Sequence, residues 1–165
     1  MLPQAVSLSS AAADQSKRAW RFRCLHSARG EDLIDRWHKS LSKKARAKLE
    51  RAMEHLCVQE RTEWSRPHAS PLGNHIYVIR FQDENRQQHR IAGHFHGSSN
   101  IFVLTQPATE KDDEYDPKNL TSIANGFKDT CDNDIDGRSG DCFYLDIHRR
   151  EDERSASTVT VQHRY

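Results

Sequence analysis

The chain contains no apolar run approaching the roughly 20 residues that a membrane-spanning helix requires. Its mean hydropathy is −0.91 with only 35% hydrophobic residues, which describes a soluble chain with much polar surface. Cysteine is scarce. Cys24, Cys57, Cys131 and Cys142 lie far apart with no CxxC pair, so neither a disulfide framework nor a cysteine zinc site is indicated. Buried thiols in a reducing compartment are the expectation, with Cys131 and Cys142 the pair that could bridge across a loop. The first residues, MLPQAVSLSSAAADQSKR, have no basic leader before an uninterrupted hydrophobic stretch. This argues against a secretory signal and for a cytoplasmic location.

The near absence of net charge, +1, conceals an asymmetry. Residues 17–100 carry 17 Lys/Arg against 9 Asp/Glu, whereas residues 101–165 carry 8 against 14. The first part can face phosphate, and the second can restrain it or face something else. A length of 165 residues fits one domain with a real core.

Periodicity divides the chain. Residues 1–16 show none and read as a leader. In RAWRFRCL, Trp20, Phe22 and Cys24 alternate with arginines, which predicts a strand with those three inward. From Glu31 the period becomes helical: Leu33, Ile34, Trp37 and Leu41, then Ala45, Leu49, Ala52 or Met53, and Leu56. Ser40 and Ser42 are capping candidates, which predicts a break and two helices in a hairpin. The second helix would turn Lys43, Lys44, Arg46, Lys48 and Arg51 outward, either as a solvated face or as a nucleic-acid-binding one.

ERTEWSRPHASPLGNH reads as a loop because Pro67, Pro71 and Gly73 crowd it. Three strands follow, HIYVIRF (75–81), QHRIAGHF (88–95) and NIFVLTQ (100–106), with short polar separators that suit an antiparallel meander. A helix hairpin followed by a meander predicts an α+β fold with helices packed on a small antiparallel sheet. A further helix is expected to start at Pro117, with Leu120, Ile123, Ala124 and Phe127 as its apolar side. DTCDNDIDGRSGD then reads as a loop, and CFYLDIHRR and STVTVQHRY as possible strands.

The stretches WHKSLSKKARAKLERAMEHL, SPLGNHIYVIRFQDENRQQHRIAGHF and NIFVLTQPATEKDDEYDP follow one another in an order that resembles the RelE/ParE superfamily of toxins, especially its HigB-like and phage-like branch. In that branch a strand ends in an arginine, here Arg80, and the next begins with one, here Arg90. The third strand leads into a basic segment, where Lys111 is the only lysine of TEKDDEYD. The likeness covers roughly residues 20–126, so residues 17–126 are read as a RelE-like core and residues 127–165 as an acidic extension without counterpart. The resemblance implies a type II toxin that cuts mRNA on the ribosome and is held inactive by an antitoxin protein. The alternatives are an inactive relative that binds a protein partner, or a ParE-like poison of gyrase. No cofactor is implied.

Metal-free RNA cleavage needs proton exchange at the ribose and leaving oxygens and fixed charge at the phosphate. Arg80, Arg90, His94, His96, Lys111 and Tyr115 supply that inventory, the last two through the resemblance. Arg90, His94 and His96 share parity on one strand, and Arg80 opposes the apolar face of Tyr77, Ile79 and Phe81. One open sheet face could therefore gather the two arginines and two histidines, either for chemistry or as an inert polar surface. His94 and His96 alone do not make a metal site, and a third ligand would have to be distant, such as His75. DNDIDG (132–137) spaces oxygens as a calcium loop does, but position 12 is Phe143, so it reads as an acidic turn.

Overall fold

The computed structural model describes residues 20–143; the leader and the possible final strand lie outside them, as does most of CFYLDIHRR. The elements run β1 (Arg21–Leu25), α1 (Leu33–Ser40), α2 (Lys43–Cys57), β2 (Ala69–Gly73), β3 (Ile76–Gln82), β4 (Gln88–Phe95), β5 (Ile101–Lys111), β6 (Glu114–Asp116), α3 (Leu120–Asn133), α4 (Ile135–Arg138) and β7 (Ser139–Asp141). This is the expected α+β class: helices on a largely antiparallel sheet. No helix among the described residues is long and apolar enough to cross a membrane.

The hairpin forms because two caps stop and restart the chain. Asp32 accepts hydrogen bonds from the amides of Ile34 (3.1 Å) and Asp35 (2.8 Å) to begin α1, and Ser42 accepts from Ala45 (3.1 Å) to begin α2. Ser40 is no N-cap; its hydroxyl donates back to the Trp37 carbonyl. The buried side of α2 is Ala45, Leu49, Ala52, Met53 and Leu56, the set that its period predicts.

The sheet runs β2-β3-β4-β5-β1-β7, with β6 on a free stretch of β5. The expected meander is β3-β4-β5, while β1 lies parallel to β5, Phe22 beside Phe102 and Cys24 beside Leu104. Two readings of loops are corrected. The Pro/Gly segment contains edge strand β2, where Pro71 is tolerated because an edge needs fewer ladder donors. The segment after Phe127 is helical through Asn133 and then supplies α4 and β7, so it is not a loop. Pro117 also precedes the helix rather than opening it, since α3 starts at Leu120 behind Asn119. Cys24 is joined to Cys142, their Cα atoms 5.1 Å apart. This corrects both the expectation of four thiols and the pairing of Cys142 with Cys131, which is free and buried.

Both faces of the sheet are covered. On the hairpin side, Phe22, Ile79, Phe81, Ile91, Phe95, Phe102 and Leu104 meet α1 and α2. Trp64 stands over Phe22, Phe95 and Phe102 with ring centroids 4.7–6.3 Å away, and its indole N–H donates to the Leu56 carbonyl at 3.0 Å. On the opposite side α3 lays Leu120 and Ala124 on Ile76, Val78, Ala92 and Ala108. The expected open face of the sheet is therefore roofed. Its small residues leave room for a helix, and the helix supplies the apolar partners that solvent cannot.

At the centre, the register of β4 against β5 shifts between Ala92 and Gly93, leaving Thr105 as the extra residue, its hydroxyl on the Ala92 carbonyl at 3.2 Å. A Cβ at Gly93 would overlap the Phe102 ring and the Val103 carbonyl. Gly93→Ala is expected to destabilise the fold by roughly 1–3 kcal/mol, measured as a lowered midpoint in urea with an unchanged slope.

Candidate functional site

Strands β3 and β4 bring Arg80 and Arg90 directly opposite one another, on the one face that their parity predicts. The two like charges coexist because Glu110, arriving on β5, places Oε2 3.1 Å from Arg90 Nε and 3.9 Å from Arg80 Nη1. Arg90 is almost fully enclosed, with 2% of its side chain exposed. It donates further to the His89 carbonyl (2.8 Å) and to Gln88 Oε1 (3.3 Å). Burial, then the neighbouring Arg80, lower its pKa, while Glu110 opposes them. Arg80 keeps more freedom: among the described residues its side chain donates to Ser70 Oγ at 3.2 Å and otherwise contacts Glu110.

Two grooves meet at this arginine pair. The larger, about 1040 Å³, includes Lys111 and Tyr115 together with Asp112 and Asp113 of the β5–β6 turn and Glu114 and Asp116 of β6. The smaller, about 470 Å³, lies between α2 and the sheet and is walled by Lys48, Arg51, Arg66, His68 and Arg80, with no carboxylate among its lining residues. Lys43, Lys44 and Arg46 of the basic helix lie outside this wall, so two of the five expected helix cations serve the groove. His68 packs its ring 4.2 Å from that of His55. Burial, then the His55 charge, lower its pKa below the ordinary imidazole value.

The structure divides the expected inventory. Arg80, Arg90, Lys111 and Tyr115 share the larger groove. His94 and His96 stand at the other end of β4, outside both grooves. The expectation that His94 and His96 occupy an open face is corrected for His94, which is fully buried because the roof formed by α3 closes over it. Its burial pushes the imidazole down to about 4, against the attraction of Asp132. At that position it cannot exchange protons with a ligand in either groove. The ring nitrogens of His94, His96 and a carboxylate oxygen of Asp132 lie within 4.8 Å of one another, so the third donor is Asp132 and not His75. DNDIDG is not a calcium loop either, since Asp134 accepts from the Gly137 amide at 3.0 Å as a helix cap.

Sequence reasoning missed Glu110, Arg66 and His68. Glu110 pairs in register with Gln88, a relation that becomes visible only once β5 is known to continue past Pro107. His68 and Arg66 were hidden in a segment read as irregular. No known protein family matches the sequence, and no curated protein or solved structure matches the chain.

The two arginines should respond differently to truncation. Arg90→Ala leaves Glu110 largely enclosed without its close partner and is expected to cost roughly 3–5 kcal/mol, as breaking a buried ion pair does. Arg80→Ala is expected to cost much less. Urea unfolding of the two variants checks this, and equal losses would contradict the division of roles.

Proposed function

We propose that the protein is a metal-independent endoribonuclease that holds single-stranded RNA in the α2–sheet groove, a RelE-like fold acting as the toxin of a toxin-antitoxin pair on ribosome-bound mRNA. The observation that carries this reading is the smaller groove: five cationic side chains and an imidazole with no carboxylate among its lining residues. Such a groove suits a phosphate backbone, for which guanidinium forks provide paired donors.

In this reading His68 is the base. Its lowered pKa leaves the ring neutral at pH 7, ready to take the ribose 2'-OH proton as that oxygen attacks phosphorus. Arg80 and Arg51 face the charge that accumulates on the non-bridging oxygens. The bond to the 5'-oxygen then breaks, leaving a 2',3'-cyclic phosphate. Tyr115, reached across the Arg80–Arg90 pair in the adjoining groove, is the group that protonates the departing oxygen. Arg90 works from beneath by positioning Glu110 and thereby Arg80. The antitoxin, ribosome and mRNA are the partners this function requires, and the cytoplasm is its location. The Cys24–Cys142 bridge counts against that compartment, where disulfides are rare.

The carboxylates of the larger groove favour a second reading, in which a basic segment of a protein partner docks there and no RNA is cut. Primer extension on cellular mRNA after brief induction separates the two. Cleavage within reading frames that falls by on the order of 10²-fold in Arg80→Ala and His68→Ala is expected. Intact messages during growth arrest would refute the nuclease, and arrest accompanied by a DNA damage response would indicate gyrase.

The pH profile provides a separate check. A base with a lowered pKa remains available until the pH falls below its own value, so the acid limb of kcat/KM should lie below pH 6.5. In His55→Ala, which removes one of the two causes of the lowering, that limb should move upward.

A further inference from the structure

We infer that His94, His96 and Asp132 form a binding site for one divalent ion of the zinc class, pinning the last turn of α3 to the end of β4. The first observation is geometric: three donor atoms from two separate elements lie within 4.8 Å of one another. Donors around a tetrahedral ion at ~2.1 Å stand roughly 3.4 Å apart, so ordinary side-chain rotations complete the set.

The second observation is independent of the first. His94 is fully buried, and neither ring nitrogen has a hydrogen-bond partner among the described residues. His96 Nδ1 is likewise buried; it lies 3.4 Å from Asp132 Oδ1 without hydrogen-bond alignment. Buried polar atoms are almost always satisfied, so buried nitrogens left unbonded on both rings beside one carboxylate call for a ligand. Unbonded imidazole nitrogens next to a carboxylate carry a desolvation cost, and a cation bonded to one nitrogen of each ring relieves part of it.

The donor chemistry selects the ion. Two imidazoles and one carboxylate suit zinc and its first-row neighbours, whereas calcium and magnesium take oxygen donors. His96 and Asp132 remain partly exposed, with 23% and 37% of their side chains accessible, so solvent can fill the remaining coordination position. Lys128 bonds Asp132 Oδ2 at 2.9 Å, leaving Oδ1 to face the ion. Its ammonium orients the carboxylate but repels the incoming cation.

The test uses the full chain stripped with chelator and dialysed against Zn²⁺ or Co²⁺. One ion per chain by elemental analysis is expected, with a raised Tm and a Co²⁺ spectrum lacking a thiolate charge-transfer band. Loss of a ligand exceeds the roughly 10–100-fold that loss of a supporting partner costs. His96→Ala and Asp132→Asn, both at partly exposed positions, should therefore fold when ion-free and bind at least that much more weakly. Because His94→Ala opens a hole in the core and can unfold the chain, these two variants carry the test. Lys128→Met should bind more tightly, and His75→Ala should bind unchanged. Absence of a stoichiometric ion, a thiolate band, or unaltered affinity in both ligand variants would overturn the assignment.

Discussion

Arg90 and His94 occupy one face of the central strand, and both are buried. That pair of facts shapes the rest of the molecule. A strand covered on both faces ordinarily carries apolar side chains on both, and β4 does so on the side where Ile91 and Phe95 meet the helix hairpin. On the other side only Ala92 is apolar between the two polar residues, so each of those needs its own accommodation. Arg90 receives it from Glu110, Gln88 and the His89 carbonyl. His94 makes no side-chain hydrogen bond among the described residues and has His96 and Asp132 close by. The two ends of one strand thus present two different solutions to the burial of a polar group, one complete and one open.

How far this could be read in advance follows from the range of the interactions involved. Local periodicity announced β1, the hairpin with its break before Ser42, and the meander, because each rests on contacts or caps within a few residues. Parity also put Arg80 and Arg90 on one face of the sheet, although only the structure shows them directly opposite one another. In the layer above, the start of α3 was legible but its last turns and its docking place were not. Asp129, Asp132, Asn133 and Asp134 have the composition of a loop, and their helical state depends on α3 docking along Ala92, Ala108 and Val78, a tertiary choice that no local pattern encodes. The apolar side of α3 was legible as far as Phe127, but not the sheet face it would cover; with that face taken as open and the last turn taken for a loop, Asp132 had no reason to be near His94. Glu110 was lost in a similar way. Pro107 suggested the end of a strand, yet it falls between the stretches of β5 occupied by β1 and by β6, where one neighbour is enough.

The charge asymmetry of the two halves also acquires a physical meaning. Basic side chains of the first half surround the smaller groove, while carboxylates of the second half gather in the β5–β6 turn, and the two populations meet at Glu110. An anion arriving at Arg80 must compete with Glu110 for the same guanidinium. Because Arg90 holds Glu110 at the shorter distance, the carboxylate remains anchored when Arg80 is drawn away, and the arginine pair does not have to separate its charges in the interior.

The strand order also bears on how the chain is made. β1 leads the described residues, but its neighbours are β5 and β7. During synthesis it emerges with Phe22 and the apolar side of the following hairpin, and its hydrogen-bonding edges find no mate until residues as late as 101–141 have left the exit tunnel. The meander β3-β4-β5 can assemble from near neighbours, whereas the opening strand must wait, which lengthens the time during which an uncovered edge meets the cell's chaperones. A protein arranged this way is vulnerable to truncation from its C-terminal side, and an incomplete product would expose the strand that begins the fold.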